Sequence, residues 1–246
     1  MNEVLKQLKN RKSVRVFEDK PIAVELKEEI LGAAFEAPTA GAMMLYSIID
    51  VTDDILKQEL AIVCDDQPFI AKAPLVLVFV ADYQRWYDAY GVAGCEVRQP
   101  GEGDILLACA DALIAAQNTV VAAEALGLGS CYIGDIMENC EKVRELLALP
   151  DYVLPAAMVV YGYPTAKQLK REKPARFNQQ YLVFENQYRK LSAKEHLAMQ
   201  EERLKKRGLN DVDGKEEIRA VCLRKYLSDF TTEMNRSVGE YLKKFR

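Results

Sequence analysis

The segment Asp104–Leu126, DILLACADALIAAQNTVVAAEAL, constrains the fold more than any other stretch of the chain. Its apolar residues run almost all round a helical wheel, so the sequence predicts a central, buried helix, stopped by Gly127. Such a helix needs further layers to cover it. Two continuous apolar runs, LVLVFVA (Leu75–Ala81) and LPAAMVVYG (Leu154–Gly162), read as strands covered on both faces. Shorter strands are expected in LYSIIDV and SCYIG. Helical spacing places Leu26, Ile30, Leu31 and Ala34 on one side of a helix after Pro21. Further helices are expected over residues 3–10, from the capping residues Asp53 and Asp54 to about Val63, and around Val143, Leu146 and Leu147 up to Pro150. Four strands among many helices predict an α+β fold, a three-layer core with a central, mostly antiparallel sheet flanked by helices.

Half of the 246 residues are hydrophobic, enough for a sizeable core. The net charge of -4 disfavours a nucleic-acid footprint. No apolar run reads as long enough to span a bilayer, and MNEVLKQLKNRKSVR has no apolar signal core, so a cytoplasmic protein without membrane attachment is expected. The six cysteines are scattered without a C-x-x-C pair, which predicts free thiols and no metal site. The single histidine, His196, lies in the polar helical stretch AKEHLAMQEERLKK and reads as a solvated residue. Chemistry that needs a histidine base or several histidine ligands is therefore disfavoured, and a bound cofactor is the natural supplier.

Beyond about Glu185 the composition shifts to charged helical segments at 192–207, 215–227 and 229–244. This divides the chain into residues 1–185 and a helical C-terminal extension, 186–246. The extension has too few large apolar residues for its own core, so it reads as an arm packing on a partner chain. Phe230, Met234, Val238 and Leu242 supply an amphipathic face for that contact. Two apparent motifs fail. GLGSCYIG has Tyr132 in place of a third glycine and follows a helix, against a dinucleotide fingerprint. NDVDGKEEIRA has Leu209 and Ala220 at the first and last ligand positions of a calcium loop, so it reads as a turn.

Four constellations remain. Arg11, Lys12, Ser13 and Arg15 place three cations and a hydroxyl where a helix pattern stops, a combination that suits a phosphate and equally a solvated helix end. Lys173 and Arg176, in EKPARF, offer a second basic pair. APTAGAMM, residues 37–44, combines a proline with small residues and would let the backbone approach a planar ligand. Ser130–Gly134 could set backbone donors and an apolar wall against a ring.

Taken in order, NRKSVRVFEDKPI, ILGAAFEAPTAGAMM, QPFIAKAPLVLVFVAD, DALIAAQNTVVAAEALGLGSCYIGDI, LLALPDYVLPAAMVVYGYP and KPARF resemble the nitroreductase family over about residues 3–185. FENQY is similar to the larger-subunit branch of flavin reductases and nitroreductases. The resemblance implies a homodimer with FMN at each of two interface sites, and NADH or NADPH as reductant. It implies hydride passage from NAD(P)H via flavin N5 to a small organic acceptor such as a nitroaromatic or a quinone, with no catalytic side chain of its own. A flavin-storage or helical interaction protein without turnover is the alternative. By the resemblance, Arg11, Lys12, Ser13 and Arg15 contact FMN, with Pro38, Thr39 and Ala40 in the wrapping loop. Gln67, Tyr132, Ile133 and Gly134 lie near the ring, and Lys173 and Arg176 close on the phosphate. Many relatives carry Asn and Gln where this chain has Ala42 and Met44, so Met43 and Met44 would make an apolar acceptor pocket.

Overall fold

The side chains of the two apolar runs alternate between two cores, and that alternation sets the architecture. The computed structural model describes residues 2–246 and forms one four-stranded antiparallel sheet among many helices. In chain order the elements are α1 (Glu3–Asn10), α2 (Val24–Phe35), β1 (Tyr46–Asp50), α3 (Asp54–Val63), α4 (Pro68–Ala71), β2 (Leu75–Asp82), α5 (Gln84–Val92) and α6 (Glu102–Ala125). They continue with β3 (Gly129–Ile133), α7 (Cys140–Leu146), β4 (Val153–Gly162), α8 (Ala166–Lys170), α9 (Ala193–Lys205), α10 (Gly214–Val221) and α11 (Asp229–Leu242). Asp53 caps α3 by accepting from the Leu56 N–H at 2.7 Å, as expected.

The strand order is β1-β2-β4-β3, and both central strands are buried along their whole length. Leu75, Leu77, Phe79, Val159 and Tyr161 face α2 and α6, while Val76, Val78, Val80, Met158 and Val160 face α3 and α7. Pro155, which has no N–H for the ladder, sits where the register slips between Phe79 and Val80. On α6, Ala112, Ala115, Ala116 and Ala123 let the helix lie close on the sheet.

Two expectations about α6 need correction. The helix is not buried all round: Leu106, Leu107, Leu113 and Ile114 are exposed on its outer side. With 24 residues it is also long and apolar enough to cross a membrane by length and composition, although its inner side packs on the sheet. An all-round apolar pattern shows that a helix needs cover on every side, not which cover it receives.

Close packing divides the chain into two units, one running up to Arg171 and resuming at Glu233–Arg246, the other Glu172–Thr232. The sequence reading put the division at 185 and kept the tail with the extension. The tail belongs to the first unit because Tyr241 and Phe245 are buried against Ile105, Ala108 and Leu154. Ser237 Oγ also accepts from the Cys140 N–H at 3.0 Å. Within the chain the buried residues of α11 are Ser237 and Tyr241. In the second unit Tyr181 is buried and donates to Glu202 at 2.7 Å, and Ser192 and Glu195 form a reciprocal cap on α9. His196 is exposed on α9. Residues 164–180, read as loop, contain α8.

Candidate functional site

The segment after α1 runs along the free edge of β3. Ser13 bridges Ser130 in parallel, and the Val14 N–H donates to the Ser130 carbonyl at 2.9 Å. Glycine at 129 makes the approach possible, because a Cβ there would lie 2.5 Å from Val14 Cγ2. A Cβ on Gly162 would similarly strike the Phe17 ring at 2.7 Å. The first and fourth constellations, 117 positions apart at Ser13 and Ser130, thus become neighbours.

Electrostatics agree with the geometry. Burial pushes the Cys131 thiol up, while Arg15, Ser13 and Arg11 pull it the other way. Burial raises the Tyr132 hydroxyl to about 12, again against Arg11. Tyr132 faces α6, and its hydroxyl donates to Gln117 at 3.4 Å. Ile133 points into the opposite core. Arg11 Nε is buried and has no hydrogen-bond partner. A buried guanidinium donor without an acceptor costs free energy, and a phosphate or ribityl oxygen would satisfy it. Lys12 is differently engaged: its ammonium donates to the Leu169 and Arg171 carbonyls at 2.7 and 2.5 Å, where α8 ends.

Gln67 and Phe69 join this neighbourhood. The Arg15 guanidinium lies 6.0 Å from the Phe69 ring centre. Gln67 Nε2 donates to the Cys64 carbonyl at 2.7 Å and to Asp135 Oδ2 at 3.0 Å, leaving its carbonyl oxygen as the group to offer a ligand. A Cβ on Gly134 would meet nothing within 4 Å.

A second group forms around the 37–45 loop. Asp111, on the inner face of α6 and only 3% exposed, accepts from the Thr39 hydroxyl, from the Ala40 N–H at 2.9 Å and from the Leu45 N–H at 3.1 Å. Thr39 Oγ1 in turn accepts from the Met44 N–H at 2.8 Å. Trp86 Nε1 donates to the Met43 carbonyl at 2.8 Å, and Arg85 holds the Met44 carbonyl. Met43 and Met44 are both partly buried, packed against two different cores. Gly41, Ala42 and Met44 have φ of 55°, 57° and 50°, a conformation that strains the two non-glycine residues. Sequence reasoning missed Asp111, whose signal is a lone carboxylate on the inner face of an apolar helix. It also missed α5, announced by Asp82, whose Oδ1 accepts from the Arg85 N–H at 3.1 Å. Among the described residues no hydrogen bond or ion pair joins this group to the Arg11–β3 group.

Lys173 and Arg176 belong to the second unit. There they line a cavity of about 620 Å³ with Arg203, Lys206, Arg207 and Arg224, a strongly basic lining that Glu172 and Glu217 offset in part.

The nitroreductase family model matches residues 8–163, which contain both groups of the first unit. The chain belongs to the nitroreductase family. Among its relatives is an "FMN reductase (NADPH)" of Bacillus subtilis, 35% identical over 190 residues, covering 76% of this chain and 75% of that protein. An "oxygen-insensitive NADPH nitroreductase" of Salmonella typhimurium is 35% identical over 196 residues, covering 79% and 78%. The solved structure of NfrA2 from B. megaterium superimposes with a TM-score of 0.83 at 29% identity, covering 100% of this chain and 98% of that one. Nitroreductase family membership thus agrees with the α+β fold, and the match spans the first-unit site candidates from Arg11 to Gly134.

Proposed function

We propose that this protein is an FMN-dependent oxidoreductase that takes hydride from NADH or NADPH and passes it to a small organic acceptor, such as a nitroaromatic or a quinone. The observation that carries the reading is the buried, unpartnered Arg11 Nε beside β3, a donor that fits the anionic end of FMN. The names of the relatives, an NADPH-dependent FMN reductase and an NADPH nitroreductase, support the same chemistry.

When bound, FMN supplies the two-electron chemistry. The chain supplies binding and orientation. Arg11, Ser13 and Arg15 provide donors and positive charge along β3. Backbone groups of Tyr132, Ile133 and Gly134, with the Gln67 carbonyl, border the open space at Gly134. Pro38, Thr39 and Ala40 wrap the ligand, held in shape by Asp111. Lys12 acts here through the end of α8, which it caps. Lys173 and Arg176 offer phosphate donors in the basic cavity of the second unit. Met43 and Met44 border the acceptor.

The working form we propose is a cytoplasmic homodimer. Exposed Leu106, Leu107, Leu113 and Ile114 give α6 an apolar outer face suited to a second copy. A second copy also offers a way to link two residue groups that no hydrogen bond or ion pair joins within the described residues of one chain. The test is the absorption spectrum of purified protein before and after heat release, followed by anaerobic mixing with NADH and NADPH. The expected result is a flavin spectrum, released FMN, and bleaching by at least one nucleotide. A protein that neither carries nor takes up FMN, or whose flavin neither nucleotide bleaches, would overturn the reading.

A further inference from the structure

Three carboxylates from two stretches of the first unit converge beside Gln67. Asp65 follows α3, Asp135 follows β3, and Glu138 ends the short 3-10 turn that Asp135 begins. One oxygen from each lies within 4.8 Å of the other two. Glu138 is only 3% exposed, and its Oε1 is buried with no hydrogen-bond partner. Among the described residues none of the three takes part in an ion pair with a lysine or arginine. The surrounding field is negative too: the Cys64 thiol beneath is pushed up by burial first, then by Asp135, Glu138 and Asp65.

A buried carboxylate among like charges is costly without compensation. A divalent cation would offset the negative charge of the cluster and give the orphaned Glu138 oxygen a partner. The donors are all hard oxygens, which select calcium, magnesium or manganese over softer metals. Two calcium–oxygen bonds of about 2.4 Å span the observed separation. Asp65 is exposed and Asp135 half-buried, so an ion has a way in from solvent. Asp135 is already oriented by Gln67 Nε2 at 3.0 Å, as metal-binding carboxylates commonly are.

We propose that Asp65, Asp135 and Glu138 form a site for one hard divalent cation of calcium size, which fixes the contact between Gln67 and Asp135. The site is independent of the flavin reading, because binding can be measured without any flavin readout.

The test is calorimetric titration of chelator-treated, desalted protein with Ca2+, Mg2+ and Mn2+ salts alone, paired with thermal unfolding in each ion. One Ca2+ should bind per chain and raise the midpoint by several degrees. Glu138→Gln, nearly isosteric, and Asp65→Asn, on an exposed residue, should each weaken binding by about tenfold or more and abolish the midpoint shift. No uptake of any of the three ions at millimolar concentration would overturn the proposal. So would uptake that is the same in wild type and in both folded variants.

Discussion

The carboxylate of Asp111 accepts from the backbone N–H of Ala40 at 2.9 Å, across 71 positions of sequence. The same side chain accepts from Thr39 and Leu45, so one buried charge holds both ends of the candidate cofactor loop. Asp111→Ala should leave three donors unsatisfied. The expected cost is about 3 kcal/mol in urea unfolding, with a parallel loss of FMN affinity. Asp111→Asn, which keeps one acceptor, should fall between the two. Unchanged affinity in a folded Asp111→Ala protein would separate the loop from the cofactor.

Arg11→Met removes the unpartnered Nε and the positive charge together. FMN affinity should fall by about tenfold or more, measured by fluorescence titration of stripped protein. Stability should hold or rise slightly, since a buried donor without a partner is removed.

Gly129→Ala should displace the Arg11–Arg15 segment, because the new methyl meets Val14 at 2.5 Å. The expected destabilisation is about 1–3 kcal/mol. Gly91→Ala is the control: it lies within α5, meets nothing within 4 Å, and should be neutral or stabilising.

Ala42 carries φ of 57°, where a side chain is strained and asparagine is tolerated better. Ala42→Asn should therefore stabilise the protein by about 1 kcal/mol, read from the urea midpoint. A loss of stability would show that the strain is absorbed elsewhere in the loop.

Glu138 is raised to about 7, by burial first and then by Asp65, Asp135 and Glu233. The native chain therefore holds a proton that the unfolded chain releases at the ordinary glutamate value. The stability this contributes is full below that ordinary value and is lost as pH rises towards and through about 7. In chelator, wild-type stability should decline across this window, and Glu138→Gln should flatten the decline. Urea midpoints at about pH 5 and about pH 8 check this.

Much of the fold was legible because burial leaves periodic traces. The runs at 75–81 and 154–162 announced a sheet covered on both faces, and the chain uses their alternation to separate two cores. The basic cluster at 11–15 and the strand at 130–134 were each readable, but their adjacency was not. It depends on Gly129 having no side chain, which a sequence shows only as one glycine among thirteen. Asp111 looked like an interruption of an apolar helix, since the donors it serves lie some seventy residues away. Asp135 and Glu138 share one turn, but Asp65 lies 70 positions earlier, so no local motif could join all three. The outer face of α6 was misread for a different reason: pattern reports how much cover a helix needs, and a second copy can supply part of it.

The tail packing described above bears on how the chain is made. Tyr241 and Phe245 complete a cluster with Ile105 and Leu154, so the first unit cannot finish while these two residues are still inside the ribosome. Residues 172–232 emerge before them, and during synthesis the second unit has the chance to form while the first still lacks its final helix. Until Tyr241 and Phe245 have left the ribosome, the nascent chain exposes an apolar gap beside α6.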